Sequence, residues 1–149
     1  MNLQLNLFAM HKLFLTLTFL ISLTVSSEET ISRWTADYFE RIHKHIANEN
    51  YEKAQAELIL GDTNYFRNGR TYEAALLYQL YGQFYAVQSQ YTNAIPWFEK
   101  ALATENMPRI GEQEVRFQLA QTYFMVGKYE NVIPLLEDFI RVGERYKFP

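Results

Sequence analysis

His43, Lys44 and His45, with Glu40 one turn earlier, are the residues whose types could hold a metal ion. A shared ion needs both imidazoles on one side. On a helix, residues two apart point about 200° from each other, so His43 and His45 cannot meet at one site. Glu40 and His43 can share a face, but one carboxylate and one imidazole do not complete a coordination sphere. The chain has no cysteine, which removes thiol nucleophiles and cysteine-ligated metals. It carries no glycine-rich phosphate loop after a strand and no nucleophile elbow. No catalytic set, metal site or cofactor site can be assembled, so the sequence is read as a binding protein and not an enzyme. What remains is recognition chemistry. Glutamine amides such as those of Gln79, Gln83 and Gln121 can bond an extended peptide backbone, and Phe117 and Phe124 can anchor apolar side chains.

The elements that would carry these residues announce themselves by repetition. Tyr85, Tyr91, Ile95 and Pro96 recur 38 residues later as Tyr123, Tyr129, Ile133 and Pro134. Gln83 recurs as Gln121, Glu99 as Glu137, and Phe98/Leu102 as Leu136/Ile140. A fixed period in this range marks units that bury their apolar faces only by stacking on neighbours. The clearest unit runs from Thr71 through Tyr78, Tyr81, Gly82 and Tyr85, spaced three and four apart on one helical face. A turn at Gln88-Ser89-Gln90 leads to a second helix expected to open near Thr92 or Asn93, with Pro96 in or just after its first turn. Gly82 against Ala94 is the expected close crossing of the pair. A third unit follows with Gly127 as a helix stop. A weaker first unit is offset by 40 residues, with Tyr38, Ile42 and His45, then Tyr51, Ala54 and Leu58, its second helix ending at Gly61. The prediction is an all-α solenoid of about three antiparallel helical hairpins, with units near 35–61, 72–103 and 113–143. The stretches 61–70 and 104–112 between them read as plain spacers.

These spacings resemble the tetratricopeptide repeat (TPR), W-x2-L-G-x2-Y, then A-x3-F, then P. Tyr78 stands for the Trp and Tyr81 for the Leu, while Gly82, Tyr85, Ala94 and Phe98 match outright. Asn106 replaces the terminal Pro, with Pro108 two residues later. The resemblance implies a TPR-like α-solenoid whose concave face is lined by the first helix of each hairpin. It places Phe39 and His43 on that face, then Gln79, Gln83 and Ala86, then Phe117, Gln121 and Phe124, these last six as tentative protein-binding residues. Grooves that clamp a chaperone's terminal carboxylate use Lys and Asn there, so the glutamines do not support that role. YEAALLYQLYGQFYA (Tyr72 to Ala86), YTNAIPWFEKAL (Tyr91 to Leu102), Asn106-Met107-Pro108 and RFQLAQTYFMVGKY (Arg116 to Tyr129) resemble exported TPR proteins found beside TonB–ExbB–ExbD systems of Gram-negative bacteria. Those proteins continue with more repeats. This narrower resemblance implies a protein or peptide partner among TonB-system components.

Composition agrees with a packed helical domain. Of 149 residues, 48% are hydrophobic and 16% aromatic, enough broad side chains to fill gaps between helices. A formal charge of −3 without a Lys/Arg run argues against a nucleic-acid partner. Arg67 and Arg70, around Asn68-Gly69, read as a solvated loop. At the N-terminus, His11 and Lys12 precede the apolar run Leu13 to Val25 and then Ser26-Ser27-Glu28-Glu29, the order of a secretory signal peptide. Residues 1–27 are therefore expected to be cleaved after Ser27, with Met10 as an alternative start. Residues 28–149 would then be exported to the periplasm without a stable membrane anchor. An uncleaved anchor is the alternative, although the run falls short of the roughly 18 to 20 residues a span needs. At the other end, Leu136, Phe139, Ile140 and Val142 are expected to point out of the last helix. That face gives a second reading, a structural or assembly element that self-associates into a homo-oligomer through its uncapped C-terminal repeat.

Overall fold

The computed structural model describes residues 31–66 and 71–146, which belong to one compact unit beginning at Ile31. The proposed signal peptide with its cleavage site, the Arg67–Arg70 loop and Lys147–Pro149 lie outside the described residues. Among the described residues the fold is an all-helical stack of three hairpins: α1 (Arg33–Ala47) with α2 (Tyr51–Leu60), α3 (Tyr72–Val87) with α4 (Tyr91–Leu102), and α5 (Arg109–Met125) with α6 (Tyr129–Tyr146). Each helix packs on the next in the chain, and α1 also packs on α3.

Local sequence sets where the helices begin and turn. Ser32 caps α1 by accepting the Thr35 N–H at 3.0 Å, and Thr71 caps α3 by accepting the Ala74 N–H at 3.2 Å. Each hairpin turn is built the same way, around one residue in the left-handed region: Glu49 (φ 58°), Ser89 (φ 61°) and Gly127 (φ 76°). In each, the following N–H reaches back to close the helix: Asn50 to the His45 carbonyl, Gln90 to that of Tyr85, and Lys128 to that of Tyr123. This is the Schellman closure, and its positions are separated by 40 and 38 residues, the offsets of the sequence repeat.

Two boundaries differ from the sequence expectation. Helix α4 opens at Tyr91 behind Gln90, ahead of Thr92 and Asn93, so Pro96 falls in the second turn. Pro96 and Pro134 both occupy the sixth position of their helices, and both lie on the exposed side. The carbonyl each leaves without its intrahelical donor is thus on the wet face, where solvent can replace the bond. Helix α5 opens at Arg109, four residues before the unit boundary near 113.

Gly61 does not stop its helix by turning left-handed. Its backbone stays right-handed (φ −60°) and the chain runs on through a π-helical turn, Gly61–Tyr65, closed by the Phe66 N–H on the Gly61 carbonyl at 2.9 Å. Glycine is needed there for space, because a Cβ would stand 3.0 Å from Leu77 Cδ1 and 3.1 Å from the Tyr38 hydroxyl. Nor is this stretch a plain spacer. It swings Tyr65 edge-on against Trp34, ring centroids 4.9 Å apart, and Phe66 onto Phe39 at 5.4 Å. Asp62 reaches the Lys100 ammonium at 4.0 Å, while that ammonium sits 3.9 Å over the Tyr78 ring and 5.0 Å over Trp97. Trp97 in turn stacks flat on Tyr81 at 4.0 Å. The turn thereby ties the first hairpin to the second.

The core is a column of side chains taken from successive helices, with Tyr38, Ile42, Leu58, Leu77, Phe98 and Val115 fully buried. Tyr38 also donates its hydroxyl to the Glu57 carbonyl, which joins α1 to α2. Burial, reinforced by the negative charge of Glu57, pushes its phenol up to about 12.

Candidate protein-binding surface

A row of amides runs between the first helices of the second and third hairpins, not along an open groove. Gln79 Nε2 and Gln83 Nε2, one turn apart on α3, donate to Gln118 Oε1 on α5 at 3.3 and 3.4 Å. Gln118 Nε2 donates to Glu114 Oε1 at 3.3 Å, where burial pushes the Glu114 carboxyl up. Gln118 is 1% exposed and Gln79 is also buried, so the expectation that Gln79 faces solvent is corrected. The reason is geometric. The stacking of α3 and α5 closes over Gln79 and leaves Gln83 at the edge, half-buried.

The other residues of the expected groove divide in the same way. Ala86 and Phe39 are buried, and Phe39 packs against Phe66. Gln121 is half-buried. Phe117 is half-buried against Phe139 of α6, ring centroids 5.3 Å apart. Phe124 is open, 52% exposed. The glutamine bonds join three residues into one cluster, and Gln118, which the sequence reading missed, is its hub. Its register gives no hint of the role, because its equivalent one repeat earlier is Leu80. His43 is exposed and His45 half-buried, and no group of three or more metal-ligating side chains occurs among the described residues. No helix among them is long and apolar enough to cross a membrane.

Phe124 leads to a second surface. Its ring meets Tyr129 edge-on at 5.5 Å, and from Tyr129 an apolar line continues along α6 through Ile133, Leu136 and Ile140. Spacings of four, three and four keep these residues on one face. Ile133 is 59% exposed and Ile140 58%, while Leu136 is half-buried. The expected composition of this face is corrected at two places. Val142 is buried, and Phe139 turns inward to Phe117, because both lie on the side of α6 that packs on α5. Tyr129 and Ile133 take their place. Their recurrence from Tyr91 and Ile95 was the available signal.

On its inner side α6 is held to α5 by charge. Arg116 bonds Glu112 at 2.6 Å within α5 and lies 3.5 Å from Asp138, which also accepts from Gln113 Nε2 at 3.4 Å and from Arg141. The Arg141 hydrogen bond holds the Asp138 carboxyl below its usual range. The outer apolar stripe is thus presented by an anchored helix. Compared with known proteins, the chain matches no family model, no curated protein and no solved structure.

Proposed function

We propose that this chain is a protein–protein interaction module of the tetratricopeptide type, an exported adaptor or scaffold and not an enzyme. One observation carries the reading: α6 is fixed along its inner side and displays an uninterrupted apolar line, Tyr129–Ile133–Leu136–Ile140, extended by Phe124. Contiguous exposed apolar surface on a well-packed scaffold marks an interaction site. Export to the periplasm is supported by the order of charge, apolar run and small residues within 1–27. The finer reading, an accessory to a TonB-type energy-transduction complex, is supported by the phrasing of Tyr72–Tyr129 alone.

The test is affinity capture from envelope extracts with the tagged full chain, beside the double variant Ile133→Asp with Ile140→Asp. Both substituted positions are mostly exposed, so helical content is expected to be unchanged by circular dichroism. The expected result is a protein retained by the native chain and lost with the variant. Equal retention by both would remove the α6 surface from the reading.

A further inference from the structure

The covering that suits the α6 stripe is visible one hairpin earlier. The residues of α4 that correspond to the stripe are Tyr91, Ile95, Phe98 and Leu102, with Glu99 corresponding to Glu137. There α5 lies across α4. Ile95 is reduced to 8% exposure, and the Tyr123 hydroxyl donates to the Glu99 carboxylate. Val115 and Leu119 precede Tyr123 at intervals of four on the same side of α5, and both are buried. On α6 the corresponding Ile133 is open, and Glu137 is exposed without a hydrogen-bond donor among the described residues.

A second copy of this chain fits the place poorly. Stacked head to tail, it would offer α1 where α5 offers its covering face. Taking the hairpin offsets of 40 and 38 together, Val115, Leu119 and Tyr123 correspond to Asp37, Arg41 and His45. Asp37 and Arg41 are exposed, and Arg41 is already paired with Glu57 at 2.9 Å. Trp34, 51% exposed, lies one turn before Asp37 on the same side, so α1 offers a single ring flanked by charge and not the aliphatic row of α5. Stacked tail to tail, a two-fold axis passing near Glu137 would bring that carboxylate against its own symmetry mate, a like-charge contact beside desolvated apolar surface.

Building on the interaction-module reading, we propose that the outer face of α6 receives an amphipathic helix from a different protein. That helix lays an aliphatic face along the Ile133–Ile140 stripe and sets a hydroxyl donor on Glu137. The pattern is that of Val115, Leu119 and Tyr123. It is helix-in-groove recognition, in which apolar anchors supply affinity and one buried polar pair fixes register.

The chain's own α5 supplies the probe. A hydrocarbon-stapled peptide of residues 109–125, helical by construction, is titrated into the full chain by calorimetry and by amide NMR. Saturable binding is expected, with shifts centred on residues 129–140, and Ile133→Asp with Ile140→Asp in the chain should abolish it. A peptide carrying Tyr123→Phe should bind the native chain about tenfold more weakly, the loss of one hydrogen bond to a charged acceptor. Against a Glu137→Gln chain, the two peptides should differ far less. No saturable binding, or binding indifferent to Ile133→Asp with Ile140→Asp, would overturn the proposal. So would a native chain whose light scattering shows dimers that the same double variant abolishes. If the peptide fails while envelope capture still depends on Ile133 and Ile140, the helix is wrong and the interaction module stands. If both fail, both fall.

Discussion

Gly82 of α3 lies directly under the ring of Phe98 on α4. A Cβ at Gly82 would stand 2.5 Å from Phe98 Cε1 and 2.6 Å from Cδ1, distances that real Cβ atoms do not adopt. Phe98 is fully buried, so its ring has nowhere to retreat. The hydrogen atom of glycine is what lets the two helices of the central hairpin close on an aromatic side chain. Gly82→Ala is expected to cost about 1–3 kcal/mol by overpacking, and Gly82→Leu more. Thermal and urea unfolding measure it. A variant as stable as the native chain would show that the ring moves freely.

The amide cluster gives a graded expectation. Gln118→Ala removes the acceptor for Gln79 and Gln83 together and leaves the buried Gln79 amide without its partner, a loss of about 1–3 kcal/mol. Gln79→Ala leaves the Gln118 oxygen with Gln83 and should cost less. A double-mutant cycle on Gln79 and Gln118 is expected to show coupling, because the residues share a bond. Strict additivity of the two single losses would remove the cluster from the interface between hairpins.

Much of the fold was legible in the sequence because a repeat states its own period. Tyr85/Tyr123 and Ile95/Ile133 gave the offset that the left-handed residues Ser89 and Gly127 reproduce. The partner of Gly82 was less legible. Ala94 is the small residue that a helix-crossing argument selects, whereas the atoms facing Gly82 belong to Phe98, one turn further along. The candidate surface was legible only in part. Periodicity says which residues share a face, but not how far a neighbouring hairpin closes over it. Gln79 disappeared beneath α5 for that reason, while Phe124 beyond the contact stayed open. The π turn at Gly61 was hidden because glycine after a helix ordinarily signals a left-handed stop, and here the crowding by Tyr38 and Leu77 selects it.

The three hairpin turns make a controlled comparison. Each places one residue at positive φ, but only the third uses glycine. A side chain in that region costs roughly 1–2 kcal/mol relative to its preferred conformation. Ser89→Gly is therefore expected to stabilise by up to about 1 kcal/mol, reduced by the greater freedom of glycine in the unfolded chain. Gly127→Ala should destabilise by about 1 kcal/mol. A Cβ at Gly127 meets nothing within 4 Å, so this loss is conformational and not steric. Urea midpoints of the two variants should move in opposite directions. Equal shifts would mean the turns relax when substituted.

Tyr38 and Tyr123 contribute to the alkaline limit of stability, beside Tyr81, whose phenol burial raises further still. Burial raises the phenols of both Tyr38 and Tyr123 from 10.0 to about 12; the nearby Glu57 charge adds to the first, and the Glu99 hydrogen bond to the second. Between these values the folded chain keeps protons that the unfolded chain has lost. The stabilisation is thus complete below pH 10, declines as pH rises toward 12, and is gone beyond it. Ionisation also removes the donors to the Glu57 carbonyl and the Glu99 carboxylate, which join α1 to α2 and α5 to α4. Urea unfolding across this range, with tyrosinate absorbance recorded in parallel, is expected to show stability falling before the buried phenols ionise in the folded state. Glu99→Gln should lower the Tyr123 transition only in part, because burial is the larger cause. A variant whose tyrosines all titrate near the unfolded value while it remains folded would show that α5 does not seal the Tyr123 hydroxyl against α4.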